Sequence, residues 1–249
     1  MTKLMKKSIF NYTKDELLLE TKHLGMEKFR AKQIWGWVYD KGAADFAKMS
    51  NIKKELQQKL DENFTLQRPE IDKELVASDG VIKWLIKFAD GNLVEAVYIP
   101  EKTRGTLCIS SQVGCTLACK FCHTGTQTLV RNLEAGEIIA QIMIAKDALS
   151  DFNNKVNERA LLTNIVFMGM GEPFFNYDNV KKAVQIMTDN EGLDFGNKRV
   201  TVSTSGLVPE MIKSATELKT ELALSLHATN DKLRNEIMAI NKKYPLDEL

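Results

Sequence analysis

The sequence predicts an α/β fold: a core of short parallel strands alternating with helices, preceded by a small helical domain and a β-hairpin. Three observations lead there. Apolar residues fall at helical spacing in the first 70 residues, two β-rich runs then flank an Asp-Gly turn, and from Thr106 onward short apolar runs alternate with helix-length ones. The expected boundaries are 1–70 for the helical accessory domain, 71–105 for the hairpin leading into the barrel, and 106–249 for the core.

In the first part, Asp15-Glu16-Leu17-Leu18-Leu19 opens one helix. Lys28 to Tyr39 makes another, with Phe29, Ile34, Trp37 and Val38 near helical spacing. Ser50 is expected to cap a third helix through Leu56 and Leu60, its hydroxyl meeting a free backbone N–H. Trp35 and Trp37 read as core anchors rather than base-stacking platforms. Residues 1–70 hold 14 Lys and Arg against 10 Asp and Glu, a local excess of four that would help attract a phosphate backbone. An ordinary solvated helical surface explains the same count.

The runs 81–88 and 93–99 flank Ala89-Asp90-Gly91-Asn92 and read as a hairpin, which Pro100 ends. Core strands are expected at 106–111, 164–168, 199–204 and 221–227, with helices near 135–149, 177–188 and 209–218. Such short apolar strands suit a sheet covered on both faces, and the βα repeat suits a parallel barrel, open or closed. A further helix is expected from Asn230-Asp231.

Composition excludes some function classes. With 44% hydrophobic and 27% charged residues among 249, the chain has the make-up of a soluble globular protein, and no apolar run reaches the length of a membrane span. The start carries Lys3, Lys6 and Lys7 but neither an apolar core nor a cleavage site, so a signal peptide is not expected and the cytoplasm is. A net charge of +1 does not by itself indicate a nucleic-acid binder.

All four cysteines, Cys108, Cys115, Cys119 and Cys122, lie in one short stretch. A disulfide framework spreads its cysteines, so clustering in a cytoplasmic chain points to a metal or redox site. Cys115-Thr-Leu-Ala-Cys119-Lys-Phe-Cys122 follows the first core strand directly, where barrel active sites sit. Three thiolates this close suit one soft metal centre, and three rather than four would leave one iron of a four-iron cluster open. Zinc held with the adjacent His123 and a set of inert buried thiols are the competing readings.

Other positions have plain structural readings. Gly169-Met-Gly171-Glu172-Pro173 fits a tight strand-to-helix turn. Ser203, Ser225 and His227 fit satisfied polar groups at strand ends, the last two on one side of their strand. Glu95 fits an exposed strand glutamate and Cys108 a small hydrophobe.

Together, however, several segments resemble the RlmN/Cfr group of radical S-adenosylmethionine (SAM) enzymes. These are Cys108-Ile-Ser-Ser-Gln-Val-Gly-Cys115, Cys122-His-Thr-Gly, Phe167-Met-Gly-Met-Gly-Glu-Pro173, Val202-Ser-Thr-Ser-Gly206, Leu224-Ser-Leu-His-Ala228 and Asn241-Lys-Lys-Tyr-Pro245. They occur in family order and the resemblance covers nearly the whole chain. It implies a partial (β/α)6 TIM-type barrel with about four βα units present. It implies a [4Fe-4S] cluster on Cys115, Cys119 and Cys122, and SAM contacts from Gly171, Glu172, Ser203, Ser225, Leu226 and His227.

The implied activity is methylation of adenine carbon 2 in 23S rRNA through a methyl-cysteine, with transfer RNA as a second substrate. An electron donor such as flavodoxin would reduce the cluster. Glu95 would be the proton-accepting base, if burial raised its pKa, and Cys108 would resolve the protein–RNA adduct through a transient disulfide. No cysteine follows Cys122, so the methyl-carrying cysteine is missing, together with roughly 60 residues of barrel. A complementary C-terminal chain and inactivity alone are therefore also expectations. The rival readings are a non-catalytic, metal-stabilised RNA-binding fragment, a carbon-8 methyltransferase, a radical SAM enzyme of small molecules, and a poorly folding remnant.

Overall fold

The computed structural model describes residues 6–152 and 160–249. Lys3 and the rest of the first five residues lie outside that range, so the basic start of the chain is described only from Lys6.

The N-terminal part begins with β1 (Lys7–Ser8), followed by α1 (Lys14–His23), α2 (Lys28–Tyr39) and α3 (Lys54–Asn63); β2 (Phe64–Thr65) then pairs in parallel with β1. A capping box opens α1: Thr13 accepts from Glu16 N at 3.3 Å while Thr13 N donates to the Glu16 carboxylate at 2.8 Å. At α3 the expectation fails, because Lys53 rather than Ser50 stands at the N-cap and no side chain caps the helix. Burial of Met49 and Ile52 folds the intervening residues into a turn, closed by Ile52 N donating to Met49 O, so the helix starts later. Trp35 is fully buried, its indole N–H held by Asp189 at 3.1 Å. Trp37 lies half-buried at the edge, where it donates to Asn51.

The next strands, β3 (Glu70–Val76), β4 (Ile82–Lys87) and β5 (Leu93–Pro100), form an antiparallel meander, so the expected hairpin has a third strand. It does not stand apart. β5 pairs antiparallel with β6 (Gly105–Cys108), the first core strand. Short β7 (Gln112–Val113) and β8 (Arg131–Asn132) flank the cysteine loop. Then come α4 (Ala135–Ala148), β9 (Asn164–Phe167), α5 (Tyr177–Met187), β10 (Val200–Thr204), α6 (Val208–Glu217), β11 (Glu221–Leu224) and α7 (Asp231–Ile237). One seven-stranded sheet results, in the order β11-β10-β9-β6-β5-β4-β3. Its β6, β9, β10 and β11 are parallel, as expected for a partial barrel, and β3 and β11 are its open edges.

The two faces differ, which corrects the expectation of a sheet covered on both. Trp84, Ile86, Val94, Ala96, Leu107, Ile165, Val200 and Val202 are buried in one core with Ile138 and Ile142 of α4 and Val180 and Val184 of α5. Their strand neighbours Lys83, Glu95, Cys108, Val166, Thr201 and Ser203 are only half-buried. Period-two alternation thus gives the sheet an apolar back and an open, polar front, the concave side of the partial barrel.

Candidate active site

The C-terminal ends of the parallel strands open into a cavity of about 480 Å³. Cys115, Cys119, Cys122, Gly171, Glu172, Ser203, Ser225, Leu226 and His227 all line it, as does Phe121. The volume suits a small-molecule cofactor, and its place at the strand C-termini is where α/β folds put their ligands. All four cysteines are free thiols, so the disulfide expected of Cys108 has no counterpart in this state.

Burial pushes the Cys119 thiol up to about 11, and Cys115, Cys122 and the Glu172 carboxylate raise it further. Burial likewise raises Cys115, whose sulfur accepts from Leu117 N at 3.5 Å. Three crowded thiols beside a carboxylate are a poor place for thiolates unless a strongly cationic group joins them. An iron–sulfur cluster meets that need. Among the described residues no three His, Cys, Asp or Glu side chains converge closely enough for a single ion, and His123 is exposed and absent from the cavity wall. The donor set therefore fits a multi-iron cluster better than one zinc.

The opposite wall is built by the turn after β9. Gly171 has φ +95°, and a Cβ there would lie 2.5 Å from Gln112 Cβ, so only glycine fits. Glu172 is buried; its oxygens accept from Phe174 N at 3.1 Å and Ser205 N at 2.8 Å, while its own N–H donates to Gln112 at 2.8 Å. Burial raises its pKa against the pull of those N–H groups. The carboxylate thus already braces the rim, and only its remaining lone pairs are available to a ligand.

Behind this turn lies a buried polar network that sequence reasoning missed. Gln141 of α4 exchanges hydrogen bonds with the Ser110 backbone at 2.8 and 2.9 Å. Ser110 Oγ donates to Glu95 O at 2.6 Å and accepts from Met170 N at 2.9 Å. Asn176 donates to Ser111 O and Leu133 O at 2.8 and 2.7 Å. No spacing rule flags such residues; their weak signal is only polarity in otherwise apolar surroundings.

The third wall holds Ser225, Leu226 and His227 beyond β11. His227 has φ +56°, and its ring lies 4.0 Å from that of Phe121 in the cysteine loop. Ser203 and Ser225 hydroxyls are 3.4 Å apart.

Glu95 and Cys108 sit elsewhere, on the open front of the sheet rather than in the cavity wall. Cys108 pairs with Val97 on one side and Val166 on the other. Burial pushes its thiol up to about 11, with the nearby Glu95 charge adding to the rise. The Glu95 side chain is 43% exposed and paired with Lys83 at 2.5 Å, as in its plain reading as an exposed strand glutamate.

Two family descriptions match the chain: the ribosomal RNA large subunit methyltransferase N-terminal domain over residues 8–66, and the radical SAM superfamily over residues 109–248. A protein called dual-specificity RNA methyltransferase RlmN in Rhodopseudomonas palustris (strain BisB5) is 50% identical over 98% of this chain and 64% of its own length. One of the same name in Rhodospirillum rubrum is 50% identical over 97% of this chain and 56% of its own. The chain thus spans less than two thirds of these relatives. A solved structure of a radical SAM methyltransferase from Sphaerobacter thermophilus superposes with a TM-score of 0.90 at 40% identity, over 98% of this chain and 70% of that one. The chain belongs to the radical SAM superfamily, and its relatives within it are the RlmN methyltransferases.

Proposed function

We propose that this chain is the cluster- and SAM-binding part of an enzyme that methylates an adenine of RNA, at carbon 2 in 23S rRNA and with transfer RNA as a second substrate. One observation carries the reading: the three cysteines of one loop and six SAM-contact candidates from three other segments line a single cavity.

Cys115, Cys119 and Cys122 would hold a [4Fe-4S] cluster, which would supply one-electron reducing power to the site. The chain's residues do the rest by position. The absence of a side chain at Gly171 would let a ligand approach the backbone, and Glu172 would offer its spare lone pairs to the SAM ammonium. Ser203, Ser225, Leu226 and His227 supply the polar rim. For Glu95 to take the proton lost from the adenine, the bound RNA would have to cover it and displace Lys83; Cys108 would be the thiol that resolves the adduct, both from the open front beside the cavity. No cysteine follows Cys122, so the methyl-carrying cysteine would come from the part of the relatives that this chain does not span, or from a complementary chain.

Residues 1–70 would face the RNA, 71–105 would lead into the barrel, and 106–249 would be the catalytic core. Among the described residues no helix is long and apolar enough to cross a membrane. The reading puts the enzyme in the cytoplasm with a flavodoxin-type donor.

The test is anaerobic reconstitution with iron and sulfide, then iron counting and EPR of the reduced protein with and without SAM. About four irons per chain and a SAM-perturbed spectrum are expected. Bound zinc and indifference to SAM would leave a metal-stabilised RNA-binding module instead. With a cluster present, RNA methylation is then measured after adding the relatives' C-terminal segment.

A further inference from the structure

Arg234, on α7, has no exposed surface, yet every hydrogen bond it donates goes to a neutral oxygen. Nε donates to Leu226 O at 3.1 Å. One terminal nitrogen donates to Ser205 O at 2.7 Å and Ser225 O at 3.4 Å, and the other to the Asn241 side-chain oxygen. Those carbonyls belong to the rim just beyond β10 and β11, which lines the cavity.

A buried guanidinium usually meets a carboxylate, because attraction must offset the loss of water. Here the acids that act on it are Asp231, relayed through Asn241, and the Cys119 thiol. Asn241 donates to Asp231 at 2.8 Å. The same helix also reaches the cysteine loop, Ile237 O accepting from Lys120 N at 3.0 Å. One side chain therefore clamps two rim segments, and among the described residues its charge has no direct anionic partner.

We propose that Arg234 is a positioning residue: it fixes the Ser205 and Ser225–Leu226 rim for SAM, and its charge favours the reduced state of a cluster held by the three cysteines. The roles toward SAM and toward the cluster rest on the function proposed above; the clamp on the rim does not.

Three measurements on wild type, Arg234→Lys, Arg234→Gln and Asp231→Asn test it: cluster reduction potential, SAM affinity, and hydrogen exchange over 203–207 and 224–228. Lysine keeps the charge but not the fork, so faster rim exchange and roughly tenfold weaker SAM binding are expected at an unchanged potential. Glutamine adds a shift to more negative potential. Asp231→Asn removes an offsetting negative charge and moves the potential the other way. A wild-type potential in Arg234→Gln, or wild-type rim exchange in Arg234→Lys, overturns the proposal. If neither Arg234 variant folds, rim exchange in Asn241→Ala, which removes the oxygen that one guanidinium nitrogen binds, decides instead, wild-type exchange there overturning the clamp. Wild-type protein that takes up no cluster sinks the proposed function, while rim exchange in Arg234→Lys still decides whether the clamp exists.

Discussion

Cys108 stands on β6 between Val97 of β5 and Val166 of β9. Its thiol, pushed up to about 11 by burial and then by the Glu95 charge, is protonated at neutral pH. Because only the thiolate reacts, alkylation by iodoacetamide at pH 8 should run roughly a hundredfold below an unperturbed cysteine and climb steeply toward pH 11. Glu95→Gln removes the like charge, lowers the thiol pKa and should speed the reaction at fixed pH. Peptide-resolved mass spectrometry reads both, and fast alkylation at pH 8 would contradict the burial. Gly171 makes a sharper case, since alanine there meets both a left-handed φ of +95° and Gln112. Strain of about 1–3 kcal/mol is expected for Gly171→Ala, read by urea unfolding, together with loss of SAM binding. The cysteine spacing was legible because all three positions lie within one short loop. Arg234, Gln141 and Asn176 were not, because their partners lie on other elements, and only the folded chain brings donor and acceptor together.

Elements were legible where periodicity and burial agree. The four parallel strands and α4 to α6 emerge within a few residues of the expected places; β6, β9, β10, α4 and α5 put buried apolar residues into the shared core, while β11 is placed by its parallel pairing with β10. β3 was missed for the converse reason: Glu70-Ile-Asp-Lys-Glu-Leu-Val76 is exposed along its whole length at a sheet edge and carries no alternation to read. Its position comes from pairing with β4, a long-range contact. Capping follows the same division. Thr13 and Glu16 signal the start of α1 locally, and Thr13→Ala should cost about 1 kcal/mol by removing an acceptor for a free N–H. Chemical denaturation checks the value; an unchanged midpoint would mean that packing alone fixes the first turn. Ser50→Ala should cost nothing comparable, since α3 begins beyond Lys53 without a side-chain cap.

At the scale of the molecule, the contacts join what the sequence reads as separate parts. Asn11, between β1 and α1, accepts from Gly136 N at the start of α4, and Lys182 of α5 reaches both Asn11 O at 3.1 Å and Glu16 at 2.8 Å. Trp35 of α2 meets Asp189 beyond α5, and residues of the helical part and the sheet fall in one buried cluster. Shared burial of this kind couples the unfolding of its parts, since separating them exposes apolar surface on both. The prediction is a single cooperative transition reported alike at both ends of the core. Trp35 and Trp84 are both fully buried, one in the helical part and one in the sheet. Two variants, each keeping one of these tryptophans with the others replaced by phenylalanine, should give fluorescence midpoints that each match that variant's own far-UV circular dichroism. In the Trp35-only variant, fluorescence melting ahead of the circular dichroism would make the helical part a docked unit with its own stability. Coincidence would mean that the rim of the cavity and the proposed RNA-facing helices are held by the same core, so that destabilising one loosens the other.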